Sequence, residues 1–219
     1  MDPARLLHGA ADSRTGGNVL THGRGYDALT GAFFAGRRNA VYRRLAALSG
    51  ARPGEHALDI GCGTGYLTVR IADRTGPHGT ARGIDPSPDL LARARRRAHG
   101  RPGCTFEDGV AEQLPAADDS CDLVVTALMV HHLPEDVRPR ALAEMHRVLR
   151  PGGRLLLADF RPPAGPVARH LVGAVVGPVM EHNPVHLLRP LAEGAGFTVA
   201  DTGDLAPWFH WVRATKAGR

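Results

Sequence analysis

Ala57-Leu58-Asp59-Ile60-Gly61-Cys62-Gly63-Thr64-Gly65 is the stretch that decides how this 219-residue chain is read. His56 to Ile60 has the profile of a short, fully buried strand. It breaks at once into three glycines at alternate positions, 61, 63 and 65. Glycine lacks a Cβ, so such a turn bends tightly and lets backbone approach a ligand without side-chain clash. Tyr66 to Arg74 then reads as a helix, and its first N–H groups are free to meet what the turn holds.

The same alternation repeats along the chain beyond this turn. Thr80 to Ile84 is a second strand, ending at Asp85. Ser87 caps a helix with Pro88 at its first position. Cys104 to Glu107 and Cys121 to Ala127 are strands three and four, and Val137 to Leu149 is a helix. Pro151-Gly152-Gly153 is expected to turn the chain into a fifth strand, Arg154 to Asp159. Strands alternating with helices in short units give a parallel sheet covered on both faces, and right-handed crossovers make it doubly wound. The C-terminal end differs. A helix over Leu187–Ala195 precedes two strand-like runs, Phe197–Leu205 and Trp208–Thr215, joined by too little chain for a parallel crossover, so they pair as an antiparallel hairpin. At the N-terminus, residues 1–25 read as a loose glycine-rich arm. Residues 26–49 read as helix, with Phe33, Phe34, Val41, Leu45 and Leu48 on a rough helical spacing.

Composition sets the outer bounds. Hydrophobic residues make up 43% and charged residues 22% of the chain, a globular balance. The three cysteines, Cys62, Cys104 and Cys121, form no C-x-x-C pair, which excludes a disulfide scaffold or zinc ribbon and fits a cytoplasmic protein. We expect no secretory signal in the first twenty residues and no membrane span, since the longest apolar stretch, Leu171 to Met180, is about half the needed length. The formal charge is +5 with a pI near 9.7. All but one of the basic residues are arginine, in a chain rich in Gly and Pro, so the charge reads as coding bias before it reads as a nucleic-acid surface. The run Arg93, Arg95, Arg96 and Arg97 lies late in a helix, where cations suit the dipole and the solvent.

In an open α/β sheet, ligands sit at the carboxyl ends of the strands, where strand order switches. A nicotinamide dinucleotide calls for G-x-G-x-x-G, whereas the spacing here is G-x-G-x-G. Asp59 also stands two residues before the first glycine. A carboxylate there opposes a pyrophosphate and favours an ammonium or sulfonium. Asp85, at the end of strand two, is placed to accept hydrogen bonds from a ribose.

With these residues in view, the chain over roughly 20–216 resembles the class I S-adenosylmethionine (SAM)-dependent methyltransferases, in particular their ubiquinone/menaquinone-type small-molecule branch. Ala57 to Gly65 is similar to the family's first motif. Gly83-Ile84-Asp85-Pro86-Ser87 resembles its ribose-binding segment, Ala111-Glu112-Gln113-Leu114-Pro115 its adenine-side loop, and Leu149 to Gly153 its turn into strand five. The resemblance implies a Rossmann-like seven-stranded sheet of order 3-2-1-4-5-7-6. Residues 1–50 would be an arm and helices covering the cleft. Residues 51–219 would be the methyltransferase domain, with a lid insertion at about 161–186. It further implies that Gly61 and Gly63 face the methionine part of SAM, with Asp59 near its amino group and Gly65 also among the cofactor-binding residues. Asp85 and Pro86 would lie at the ribose, and Val110, Ala111 and Glu112 beside the adenine. Tyr26, in a Tyr26-Asp27 pair, would close over the methionine end. Val110 departs from the family, which often has Asp there.

Methyl transfer to a hydroxyl or amine needs a proton acceptor, and histidine is the natural one. His131 and His132 follow strand four at the ligand edge, and we expect one of them, His132 first, to be the base. The plainer reading is packing against the next segment. Asp159 ends strand five and faces the cleft or caps the following loop. Phe160 belongs to the acceptor wall. His182 and His186 have H-x-x-x-H spacing, but Pro184 between them and the lack of an adjacent acid argue against a metal. Trp208, Phe209, His210 and Trp211 are expected to serve core packing. The acceptor is expected to be a small, partly apolar molecule, with S-adenosylhomocysteine as by-product. An RNA methyltransferase and a non-catalytic SAM-binding protein are the alternatives. Oligomeric state is open, a homodimer included.

Overall fold

The computed structural model describes Phe34, residues 37–163, Gly165, Asn183, and residues 185–206 and 208–218. In chain order the elements are α1 (Arg38–Leu48), β1 (His56–Ile60), α2 (Tyr66–Thr75), β2 (Thr80–Asp85), α3 (Pro88–Arg97), β3 (Cys104–Asp108), β4 (Cys121–Ala127), α4 (Arg138–Val148), β5 (Leu149–Phe160), α5 (Leu188–Gly194), β6 (Phe197–Leu205) and β7 (Phe209–Lys216). The seven strands form one sheet in the order β3-β2-β1-β4-β5-β7-β6. Strands β1 to β5 pair in parallel. Strand β7 runs antiparallel between β5 and β6. The expected topology is borne out, and strand order switches between β1 and β4.

Alternation along each strand divides the core. Ala57, Leu123, Val125 and Leu156 face one side together with Phe209 of β7, where Val41 and Leu45 of α1 and Leu67 and Ile71 of α2 cover them. Leu58, Ile60, Val124, Leu155 and Leu157 face the other side, against Leu142, Met145, Leu188 and Ala192 of α4 and α5. Helix α1 is thus one of the layers flanking the sheet. A cleft cover built from residues 1–50 would have to come from residues outside those described, as would the bulk of the 161–186 insertion.

Three local expectations change. Strand β5 begins at Leu149, directly after α4, and not at Arg154. Leu149 pairs with Cys121 and Arg154 with Leu123, so Arg150 to Gly153 bulge out of the ladder, with Gly152 at φ +77°. Trp208 is exposed at 37%, whereas Phe209 and Trp211 are buried in the core as expected. The arginines late in α3 do more than face solvent. Arg95 donates to the Phe106 carbonyl at 3.1 Å, and Arg97 donates to the Thr64 carbonyl while its guanidinium lies 3.7 Å from the Tyr66 ring centroid.

Candidate active site

The glycine turn hangs on the end of β2. The N–H groups of Gly61 and Cys62 both donate to the Ile84 carbonyl, at 2.8 and 3.0 Å. Its glycines serve different ends. A Cβ on Gly65 would come within 2.8 Å of the Phe106 ring and 3.0 Å of Ala94, so this position lets α2 seat against α3 and β3. A Cβ on Gly61 would come within 2.3 Å of the Met129 side chain, so the turn and the segment after β4 touch here. Gly63, at φ +53°, has open space where its Cβ would be. Gly65→Ala is therefore expected to cost about 1–3 kcal/mol of stability through overpacking, plus the strain of φ +78°. Gly63→Ala is expected to cost less stability and to lose SAM affinity. Denaturant melts beside calorimetric titration separate the two effects.

Asp85 ties the turn to α3. Its Oδ2 accepts from the Gly63 N–H at 2.8 Å and its Oδ1 from the Ser87 N–H at 2.9 Å. Burial raises its pKa from the ordinary value, only partly countered by those two bonds. Pro86, half-buried, sits between. Asp59 is buried at 3% exposure and accepts a 2.6 Å bond from the Thr68 hydroxyl of α2. Desolvation pushes its carboxyl up to about 7, against the Thr68 hydrogen bond and with help from the neighbouring Asp85 charge. Among the described residues no cation pairs with it. A buried carboxylate so placed, near the Asp85 that anchors the turn, is a site that an ammonium or sulfonium would complete.

The segment after β3 packs into the core near the ends of β1 and β2. Ala111 is buried with Ile60, Ile84 and Met129. Val110 and Gln113 form an isolated antiparallel bridge that shapes the bend. Glu112 keeps a buried Oε2 with no hydrogen-bond partner among the described residues, an acceptor where the family more often places its carboxylate at position 110. Helix α4 clamps this segment. Glu144 accepts from the Leu114 N–H at 2.8 Å, and Arg147 donates to the carbonyls of Ala116 and Leu114 and to Asp118.

His131 and Asp159 come together. Leu128 takes φ +59°, a strained backbone for a leucine, and its N–H donates to the Ala158 carbonyl at 2.9 Å. The chain then turns so that His131 meets the end of β5. Its Nδ1 lies 2.6 Å from Asp159 Oδ1, and its N–H donates to Oδ2 at 3.2 Å. Asp159 is 1% exposed and does not face an open cleft. Burial pushes its carboxyl up, but the charge and hydrogen bond of His131, with donors from Phe160 and Asn183, outweigh this and leave it below the usual range. His132 is half-buried, its ring centroid 4.0 Å from that of His131. Phe160 is fully buried. Tyr26 and His182 lie outside the described residues, and His186 is exposed on a short turn, Val185–Leu187. Sequence reasoning missed Leu128, Asn183 and the Glu144–Arg147 clamp. A Glu144 and Arg147 three residues apart on one helix was the only available sign.

Residues 57–153 match the family model described as a methyltransferase domain. A demethylmenaquinone methyltransferase of Symbiobacterium thermophilum is 36% identical over 141 residues, 63% of this chain and 55% of that protein. A 2-phytyl-1,4-naphtoquinone methyltransferase of Nostoc sp. is 31% identical over 141 residues, 63% of this chain and 61% of that protein. The chain thus spans between about half and two thirds of these relatives' lengths. Among solved structures, a SAM-dependent methyltransferase from Aquifex aeolicus superposes with a TM-score of 0.69 at 20% identity, covering 86% of this chain and 97% of that one.

Proposed function

We infer that this chain, a class I SAM-dependent methyltransferase by its matched domain and its fold, transfers a methyl group from SAM to a small, partly apolar acceptor. The observation that carries the reading is the buried Asp59 carboxylate, with no cation among the described residues, close enough to feel the charge of Asp85, which itself holds the open Gly63. Asp59 would take the cofactor's ammonium and the turn at Gly61 to Gly65 its methionine part. Asp85, beside Pro86, would hold the ribose, and Val110, Ala111 and Glu112 the adenine. Tyr26 is proposed to close over the methionine end. When bound, SAM supplies a methyl group already activated by its sulfonium, so positioning does much of the work.

The chain's own task is to hold the acceptor and take its proton. We assign the proton to His131. Removal of an acceptor hydroxyl proton leaves the electron pair on oxygen, and in a phenolate that pair is available at oxygen or at a ring carbon. The names of the quinone-directed relatives support an acceptor of that class. We place the activity in the cytoplasm, in keeping with three free, buried cysteines. Among the described residues no helix is long and apolar enough to cross a membrane.

The test pairs methyl-labelled SAM with a short-chain 1,4-naphthoquinol. Label in the extracted apolar product, with S-adenosylhomocysteine formed in equal amount, supports the reading. Label in RNA and none in small molecules would replace it.

Protonation gives a further check. With a pKa of about 7, Asp59 is protonated in the ligand-free protein at pH 6, although its ordinary value is 3.8. A cationic cofactor favours the ionised form, so binding below neutrality must release a proton. SAM affinity is therefore expected to fall as pH drops below about 7, towards about tenfold per unit. In Asp59→Asn that slope should vanish, and a slope that persisted would place the linked proton elsewhere. The same group acts on the ligand-free fold in the opposite sense. The folded state binds the extra proton between pH 3.8 and about 7, so this contribution to stability is full at low pH and lost as pH rises through about 7.

A further inference from the structure

Asn183 reaches back 24 residues along the chain to Asp159. Its side-chain amide donates to Asp159 Oδ1 at 2.9 Å and to the Phe160 carbonyl at 2.9 Å. Both partners accept only, which fixes the amide with its nitrogen towards them. Asn183 is buried at 7% exposure, so this is a built contact and not a surface one. Asp159 Oδ1 also takes the Phe160 N–H at 2.7 Å and the His131 ring at 2.6 Å. Four donors converge on one carboxylate, from β5, from the segment after β4 and from Asn183.

An ionised carboxylate cannot donate, so the ring nitrogen facing it must carry the proton. We propose that Asp159 and Asn183 are a pair of positioning residues, which hold His131 with its Nδ1 proton inward and so leave the lone pair on Nε2, the ring nitrogen turned from the carboxylate, to take the acceptor's proton. This makes His131, and not its neighbour His132, the base. The proposal rests on the methyl-transfer reading above. In the step it describes, the acceptor O–H bond breaks and an Nε2–H bond forms. The electron pair stays on the acceptor oxygen, and the imidazolium is balanced by Asp159 until it gives its proton to solvent. Asn183 touches no reacting atom. It keeps the carboxylate from rotating away from the ring.

The experiment is nitrogen NMR of the assigned His131 ring in S-adenosylhomocysteine-saturated protein, with the kinetics of the same variants. In the wild type the neutral ring is expected as the Nδ1–H tautomer. Asn183→Ala should populate both tautomers and lower kcat by about ten- to a hundredfold, with KM for SAM unchanged. Asn183→Asp should be worse than Asn183→Ala, because it sets a second carboxylate against Asp159. An Nε2–H tautomer in the wild type would overturn the proposal without any variant. So would an Asn183→Ala protein that keeps both tautomer and kcat. Failure of the wild type to bind S-adenosylhomocysteine would strike the cofactor reading instead. The ring spectrum of the ligand-free protein would then still decide the positioning claim.

Discussion

His131→Ala is expected to lose turnover by about 10²–10⁴-fold while binding SAM as the wild-type chain does. The ring lies at the carboxyl end of β4, in the segment that touches the glycine turn through Met129. It is held at 2.6 Å by a carboxylate that accepts hydrogen bonds from the His131 ring and N–H, the Phe160 N–H and the Asn183 amide. His132→Ala is expected to have a smaller effect. A fall in SAM affinity equal to the fall in turnover would show His131 to be structural. Full turnover in His131→Ala and a large loss in His132→Ala would exchange their roles.

Asp85→Ala is expected to weaken SAM binding by roughly 10²–10⁴-fold, since hydrogen bonds to a charged group are each worth about 1.5–3 kcal/mol and a ribose offers two hydroxyls. The variant also frees the N–H groups of Gly63 and Ser87, so the turn and the start of α3 lose their common anchor. Asp85→Asn keeps the shape but can accept through only one oxygen, so it should fall between the two. Calorimetric titration of both variants with S-adenosylhomocysteine measures this. Wild-type affinity in Asp85→Ala would remove the residue from the site.

The fold was legible because the strands are short, fully buried and set off by glycine and proline. His56–Ile60 and Cys121–Ala127 appear in the structure with the bounds read from the sequence. The start of β5 was not, because Pro151-Gly152-Gly153 signals a turn and the chain absorbs it as a bulge within the strand. The cofactor side of the site was legible as well, since its glycines and carboxylates follow one another along the first two strands. The base side was only partly so. His131, His132 and Asp159 were marked as candidates, but the pairing of His131 with Asp159 depends on a register across β4 and β5 that local sequence does not set. Asn183 joins them from 24 residues beyond Asp159. No spacing rule reaches a tertiary hydrogen bond of that kind. Burial of Asp159 likewise follows from the sheet's packing and not from its place at a strand end.

One titration bears most directly on the claim that the turn at Gly61 to Gly65, with Asp59 and Asp85, is a SAM site. Purified chain titrated calorimetrically with S-adenosylhomocysteine, and in parallel with NAD, needs no knowledge of the acceptor. Saturable one-to-one binding of S-adenosylhomocysteine is expected, with no heat from NAD. No binding of S-adenosylhomocysteine, or saturable binding of NAD in its place, would contradict the claim.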